Sequence, residues 1–157
     1  MTDTVGEEDM KYKNSALITV DEIKEILTSY DLEYKTNEGY DGQMNTHFYD
    51  IQVICEPYFV INIEDEYTIF FADWHGHYDP NDKESMKSFK ADLEAILDNE
   101  KCSVASMRLV DGVENFCCVA LEWKECLDRD YLEREYGKDR IIRCRFLDES
   151  LNKTILT

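Results

Sequence analysis

Residues 58–97 read YFVINIEDEYTIFFADWHGHYDPNDKESMKSFKADLEAIL, and the parsing of this stretch decides the fold. Two apolar runs, 58–63 and 67–72, are joined by Glu64-Asp65-Glu66. A three-residue acidic tip between runs rich in aromatic and β-branched residues predicts a hairpin. Phe59, Ile61 and Ile63 share one face of the first strand, while Tyr67, Ile69 and Phe71 oppose Thr68, Phe70 and Ala72 in the second. Both faces are apolar, so this hairpin belongs at the centre of a sheet. Asp79-Pro80-Asn81-Asp82 then turns the chain into a helix capped by Asn81 or Asp82. Met86, Phe89, Leu93, Ile96 and Leu97 give that helix, over 83–98, one apolar stripe.

Outward from this unit the pattern continues. Upstream, Thr19-Val20-Asp21-Glu22 is a capping box, and Ile23, Ile26, Leu27 and Tyr30 follow at helical spacing, predicting a helix over 20–30. Residues 32–35 read as a short strand and 36–45, with Gly39 and Gly42, as a loop. Residues 46–55 alternate as a strand. Downstream, residues 102–110 and 113–123 flank Asp111-Gly112, the turn chemistry of a tight hairpin. Residues 124–136 read as a helix ended by Gly137, and 140–147 as a last strand. The expected fold is α+β: a single domain over 16–148, with a mostly antiparallel sheet and two to three helices packed on one side. A flexible leader over 1–15 and a patternless tail over 149–157 flank it.

With 43% hydrophobic residues the chain can build a core and is not a disordered acidic tract. It lacks any apolar run long enough to span a bilayer, and its first residues lack an apolar signal segment, which points to the cytoplasm. Six cysteines without CxxC spacing read as free thiols, mostly core residues of strands. Net charge is −18 and unevenly spread. Residues 1–100 hold 24 acids against 7 lysines, whereas 101–157 hold 11 acids, 10 bases and every arginine. A field of that sign repels nucleic acid and anionic membrane and attracts basic proteins. An ordinary acidic cytosolic protein would share the composition, so charge alone does not define a function. Arg143 and Arg145 share a strand face and are expected to pair with the chain's own carboxylates or with an acidic spot on a partner.

Two chemistries compete for the central stretch. If the strand ran on through Asp73-Trp74-His75-Gly76-His77-Tyr78-Asp79, then Asp73, His75, His77 and Asp79 would project from one face and could ligate zinc, manganese or iron. Gly76 and Pro80 argue for a turn that would scatter them. No nucleophile elbow, Walker loop or dinucleotide fingerprint supports an enzyme or implies a cofactor. The second chemistry is recognition. Acids mixed with aromatics mark Glu64, Asp65, Glu66, Trp74, Tyr78 and Asp79, with Tyr40 and Asp41, as a partner-binding surface in which rings anchor and carboxylates steer.

The segment Phe70-Phe71-Ala72-Asp73-Trp74-His75-Gly76-His77-Tyr78-Asp79, leading into the 83–98 helix and the 102–123 hairpin, resembles small α+β immunity-type proteins of bacterial toxin systems over residues 58–123. The element order also resembles acidic secretion-chaperone-like domains, and size and acidity resemble phage inhibitors of bacterial defence. These resemblances imply a cytosolic acidic protein that works by binding another protein; it is expected to be non-enzymatic, and a monomer or a homodimer. The expected function is stoichiometric neutralisation of a basic toxin or nuclease. The alternatives are a metal-dependent enzyme or metal-binding protein using the 73–79 segment, and a secretion chaperone.

Overall fold

Thr19 caps the first helix as its spacing predicts: its side-chain oxygen accepts the Glu22 amide at 3.2 Å. The structure, a computed structural model, describes residues 17–157; the leader expected over 1–15 lies outside them. Helix α1 runs Val20–Ser29, followed by strands β1 Tyr34–Asp41, β2 Thr46–Val53, β3 Phe59–Ile63, β4 Tyr67–Phe71 and β5 Trp74–Tyr78. Helix α2 Lys83–Leu97 comes next, then β6 Lys101–Val110, β7 Val113–Trp123, α3 Arg129–Tyr136, β8 Arg140–Arg145 and β9 Lys153–Leu156. The fold is α+β, as expected. Its strands divide between an antiparallel sheet of order β1-β2-β3-β4-β5 and another of order β7-β6-β8-β9. No helix among the described residues is long and apolar enough to cross a membrane.

The chain packs as two compact units, one from the described residues through Ile54, Val60–Ile69 and Gly76–Ala91, the other from Cys55–Phe59, Phe70–His75 and Asp92–Thr157. In the first, Ile23 and Leu27 of α1, Ile51 of β2, Ile61 of β3, Ile69 of β4 and Phe89 of α2 are all fully buried. Burying side chains of this size stabilises by about 1.5–3 kcal/mol each before the cost of ordering them. Tyr67 is fully buried too, and its hydroxyl donates to the Ile18 carbonyl at 2.7 Å, so the ring is buried without stranding its polar end. Asp82 caps α2, accepting the Ser85 amide at 2.8 Å, while Ser85 Oγ accepts the Asp79 amide at 2.7 Å.

The sequence predicts a loop over 36–45, but most of it is β1, paired with β2 from Tyr34↔Val53 to Asp41↔Thr46. β1 is an edge strand whose residues are mostly exposed, so no apolar alternation betrays it. A Cβ at Gly39 would stand 2.9 Å from the tip of the Phe48 ring, so a larger residue there requires that ring to move.

In the second unit, Cys102, Val104, Leu132, Ile142, Cys144 and Phe146 form the core, with Tyr131 and Tyr136 packed against it. Asp111 and Gly112 both take positive φ, 51° and 77°, as the tight turn between β6 and β7 requires. The helix expected over 124–136 breaks: a 3-10 turn at Lys124–Cys126 precedes Asp128, which caps α3 by accepting the Tyr131 amide at 2.9 Å. Gly137 closes α3 at φ 99°. The supposedly patternless tail holds β9, paired Ile141↔Leu156 to Cys144↔Lys153; four residues are too short to show a period. Cys102 and Cys144 are core thiols as expected, but Cys117 and Cys118 are exposed, because β7 is an edge strand whose first half is uncovered.

Glu122 accepts the hydroxyls of Tyr131 and Tyr136 at 2.9 and 2.8 Å, pinning α3 to β7. That bond holds the Tyr131 phenol up at about 12, and burial with the same carboxylate raises Tyr136. A raised phenol contributes stability that is intact below about pH 10, the unfolded value, and lost as pH climbs beyond it. Glu122→Ala is expected to cost about 1–3 kcal/mol at neutral pH. Tyrosinate absorbance should then lose the late-titrating phase that the wild type shows, and an unchanged alkaline titration would refute the clamp.

Candidate functional site

The meander order of the first sheet decides which candidate residues meet. Strands run up and down in succession, so the β1–β2 turn, the β3–β4 turn and the end of β5 lie at one end of the sheet. Tyr40, Asp41, Glu64, Asp65, Glu66 and Asp79 therefore come to that end from turns far apart in sequence. Side-chain distances agree. His77 Nδ1 stands 2.8 Å from Glu66 Oε1 and 3.1 Å from Thr68 Oγ1. The carboxylate is acceptor-only at neutral pH, so the Nδ1 proton is donated to it. Both side chains are more than half exposed, so the pair contributes at most about 1 kcal/mol. On the neighbouring strands the Asn62 amide donates to Asp50 at 2.6 Å and reaches Glu64 at 3.4 Å. Asp50 and Asn62 are register partners, so this bridge ties β2 to β3 beneath the acidic turn.

Asp41 and Asp79 each have a local duty. One oxygen of Asp41 accepts the amides of Gln43 and Met44 at 2.9 and 3.2 Å, shaping the β1–β2 turn. One oxygen of Asp79 accepts the Asn81 amide at 2.9 Å, which fixes the entry to α2. Tyr40 is 51% exposed, its ring 4.9 Å from His47 and its hydroxyl donated to Asn45. It is the exposed aromatic ring of this end. Asp65 and Glu66 are exposed and Glu64 half-buried.

Two expected anchors are not part of it. Tyr78 is buried, packed edge-on against Phe89 with ring centroids 5.3 Å apart, so it is a core residue and offers no anchor to a partner. On β5 it alternates inward while His75 and His77 point outward. Trp74 opens β5 and is half-buried, at the opposite end of that strand from Asp79.

The metal alternative required one continuous strand through 73–79. Instead Ala72, at φ 50°, turns with Asp73, and β5 begins afresh at Trp74. His75 and His77 do share the outward face of β5, but Asp73 is in the turn before it and Asp79 beyond its end. Among the described residues no three His, Cys, Asp or Glu side chains gather closely enough to hold a metal ion. His75 instead sits beside Phe70, ring centroids 5.7 Å apart.

Sequence reasoning missed His77 and Asn62 as the residues that organise the acidic end. The signal for His77 was its place two residues after His75 on a strand, which puts it beside the β3–β4 turn once the meander is known. The bidentate pair of Arg143 with Glu114, at 2.7 and 2.8 Å, fulfils the expected pairing of that arginine with the chain's own carboxylates. The chain matches no known family model, no curated protein and no solved structure.

Proposed function

We propose that the chain is a non-enzymatic protein-binding protein of the cytoplasm that neutralises a basic partner, such as a toxin or nuclease, by stoichiometric occlusion. The observation that carries this reading is the meeting of Asp41, Glu64, Asp65, Glu66 and Asp79 with Tyr40 at one sheet end of a chain of net charge −18. Acids outnumber bases so far that internal pairing leaves a large excess of carboxylates to face solvent. Grouped carboxylates accept lysine and arginine donors where a nucleic-acid backbone would otherwise sit on the partner. Their field speeds encounter, and an aromatic among them supplies buried area once docked.

The test is a tagged pull-down from host lysate at low and moderate salt, with metal content measured on the same purified protein. A single basic protein at one-to-one stoichiometry, washed off as salt rises, is the expected result. No stoichiometric basic partner, or about one transition metal per chain lost on His75→Ala, would overturn the proposal.

A further inference from the structure

The second sheet ends in a recess built around a tryptophan. Trp123 closes β7 opposite Lys101, the first residue of β6, so the two side chains share a face. The Lys101 ammonium stands 4.4 Å from the centre of the indole and 2.7 Å from Asp92 Oδ1. The indole thus already holds one cation, whose charge a carboxylate answers. Past Trp123 the chain leaves the sheet in the 3-10 turn Lys124–Cys126, and the Lys124 amide donates to the Glu100 carbonyl at 2.7 Å. That bond sets the residue before β6 beside the residue after β7. Between the two segments lies a recess of about 540 Å³ lined by Glu100, Trp123, Lys124 and Glu125, all within the second unit.

The lining says what the recess takes. Trp123 is 43% exposed and Lys101 is not part of the lining, so the recess meets indole surface that the ammonium leaves open. Of the aromatic rings, indole attracts a cation most strongly. Glu100 and Glu125 are exposed, and among the described residues neither is in an ion pair. The Glu100 amide donates to the Ala95 carbonyl at 2.9 Å, which holds Glu100 against the end of α2. No basic residue occupies the last turn of that helix, so its negative end adds to the field of the carboxylates. Lys124 opposes them, one ammonium against two acids. A guanidinium meets these demands better than an ammonium: it stacks flat on a ring, its fork of N–H groups reaches carboxylates beside it, and it sheds water more readily. The four lining residues are all exposed, so a side chain carried on a peptide can enter from outside.

We propose that this recess binds the arginine side chain of a basic peptide, its guanidinium stacked on Trp123 and donating to Glu100 and Glu125. The site uses no residue of the five-stranded sheet, so it stands or falls separately from capture of a partner at the acidic turns.

The test is a titration of the full chain with N-acetyl-arginine amide, followed by NMR through the two indole N–H resonances, that of Trp123 being the one lost in Trp123→Leu. The expected result is saturable movement of the Trp123 resonance with a dissociation constant on the order of 1 mM, the strength of one side chain in an open site. N-acetyl-lysine amide should bind about 3-fold more weakly, and N-acetyl-citrulline amide, which has the shape without the charge, should give no saturable movement. Glu100→Gln and Glu125→Gln should each weaken arginine binding by about 3-fold, and Lys124→Gln should tighten it by about 2-fold. Trp123→Leu, read from the signals of the arginine probe, should weaken it by about 5-fold or more. These side chains are exposed, so melting temperatures should hardly change; if Trp123→Leu melts early, the two glutamine variants decide. Absence of saturation below about 50 mM arginine probe would overturn the proposal. So would movement of the Trp74 resonance in place of Trp123, citrulline binding as well as arginine, or an affinity indifferent to both glutamate substitutions.

Discussion

Phe89→Ala lowers the free energy of unfolding by about 3–5 kcal/mol, the cost of emptying a large aromatic site in a closed core. Phe89 is fully buried on α2 and packs edge-to-face on Tyr67 at 5.5 Å and Tyr78 at 5.3 Å. Each such aromatic pair adds about 0.5–1.5 kcal/mol beyond area burial, and the substitution removes both at once. Collapse cannot fill the gap, because Tyr67 is tied by its hydroxyl to the Ile18 carbonyl just before α1. Native domains are stable by about 5–15 kcal/mol, so the loss is a large share of the whole. For a chain of this length it corresponds to roughly 6–20 °C in melting temperature. Urea titration should show a lower midpoint with an unchanged slope. Phe116→Ala, at an exposed site, should change stability by less than about 0.5 kcal/mol. Equal small effects from the two substitutions would mean that Phe89 is not the keystone of this unit.

The same contrast explains how far the sequence could be read. Periodic burial was legible. The stripe Met86, Phe89, Leu93, Ile96, Leu97 and the inward positions of the central hairpin are buried as their spacing demands. Local chemistry was legible too: Thr19 caps, Asp111-Gly112 turns and Gly137 terminates at the expected residues. What escaped were edges and short pieces. β1 and β9 pair through backbone groups, which every sequence possesses, and their exposed side chains carry no period. The division into two sheets escaped for a related reason, since strand pairing over long separations leaves no local trace. At the candidate site, composition marked the acidic turn, Tyr40, Asp41 and Asp79, but only the meander order shows that these share one end and that Trp74 lies at the other. Tyr78 was misread because alternation on β5 depends on where the strand begins. A start at Trp74, after the turn at Ala72 and Asp73, sends Tyr78 inward.

Reversing charge in the β3–β4 turn, with Glu64→Lys, Asp65→Lys and Glu66→Lys combined, should slow association with the basic partner by roughly 10- to 1,000-fold at low salt, the span that electrostatic steering covers. The turn is a good site for so large a change. Asp65 and Glu66 are exposed, and the turn's own closure runs through backbone groups, the Glu64 amide donating to the Glu66 carbonyl at 3.0 Å. Reversal at Glu66 breaks its pairing with His77, which is worth at most about 1 kcal/mol between exposed groups. Folding should therefore survive, and circular dichroism should match the wild type. The rate of dissociation should move far less than the rate of association, because steering acts before the two surfaces meet. The salt dependence of association should flatten, since fewer charges remain to be screened. Tyr40→Ala should act on the other limb, speeding dissociation while leaving association and its salt slope nearly unchanged, as expected of a ring that docks after encounter. Surface plasmon resonance with the basic protein recovered by pull-down separates the two rates. If triple reversal leaves the association rate and its salt slope intact, the acidic end of the five-stranded sheet is not where the partner lands.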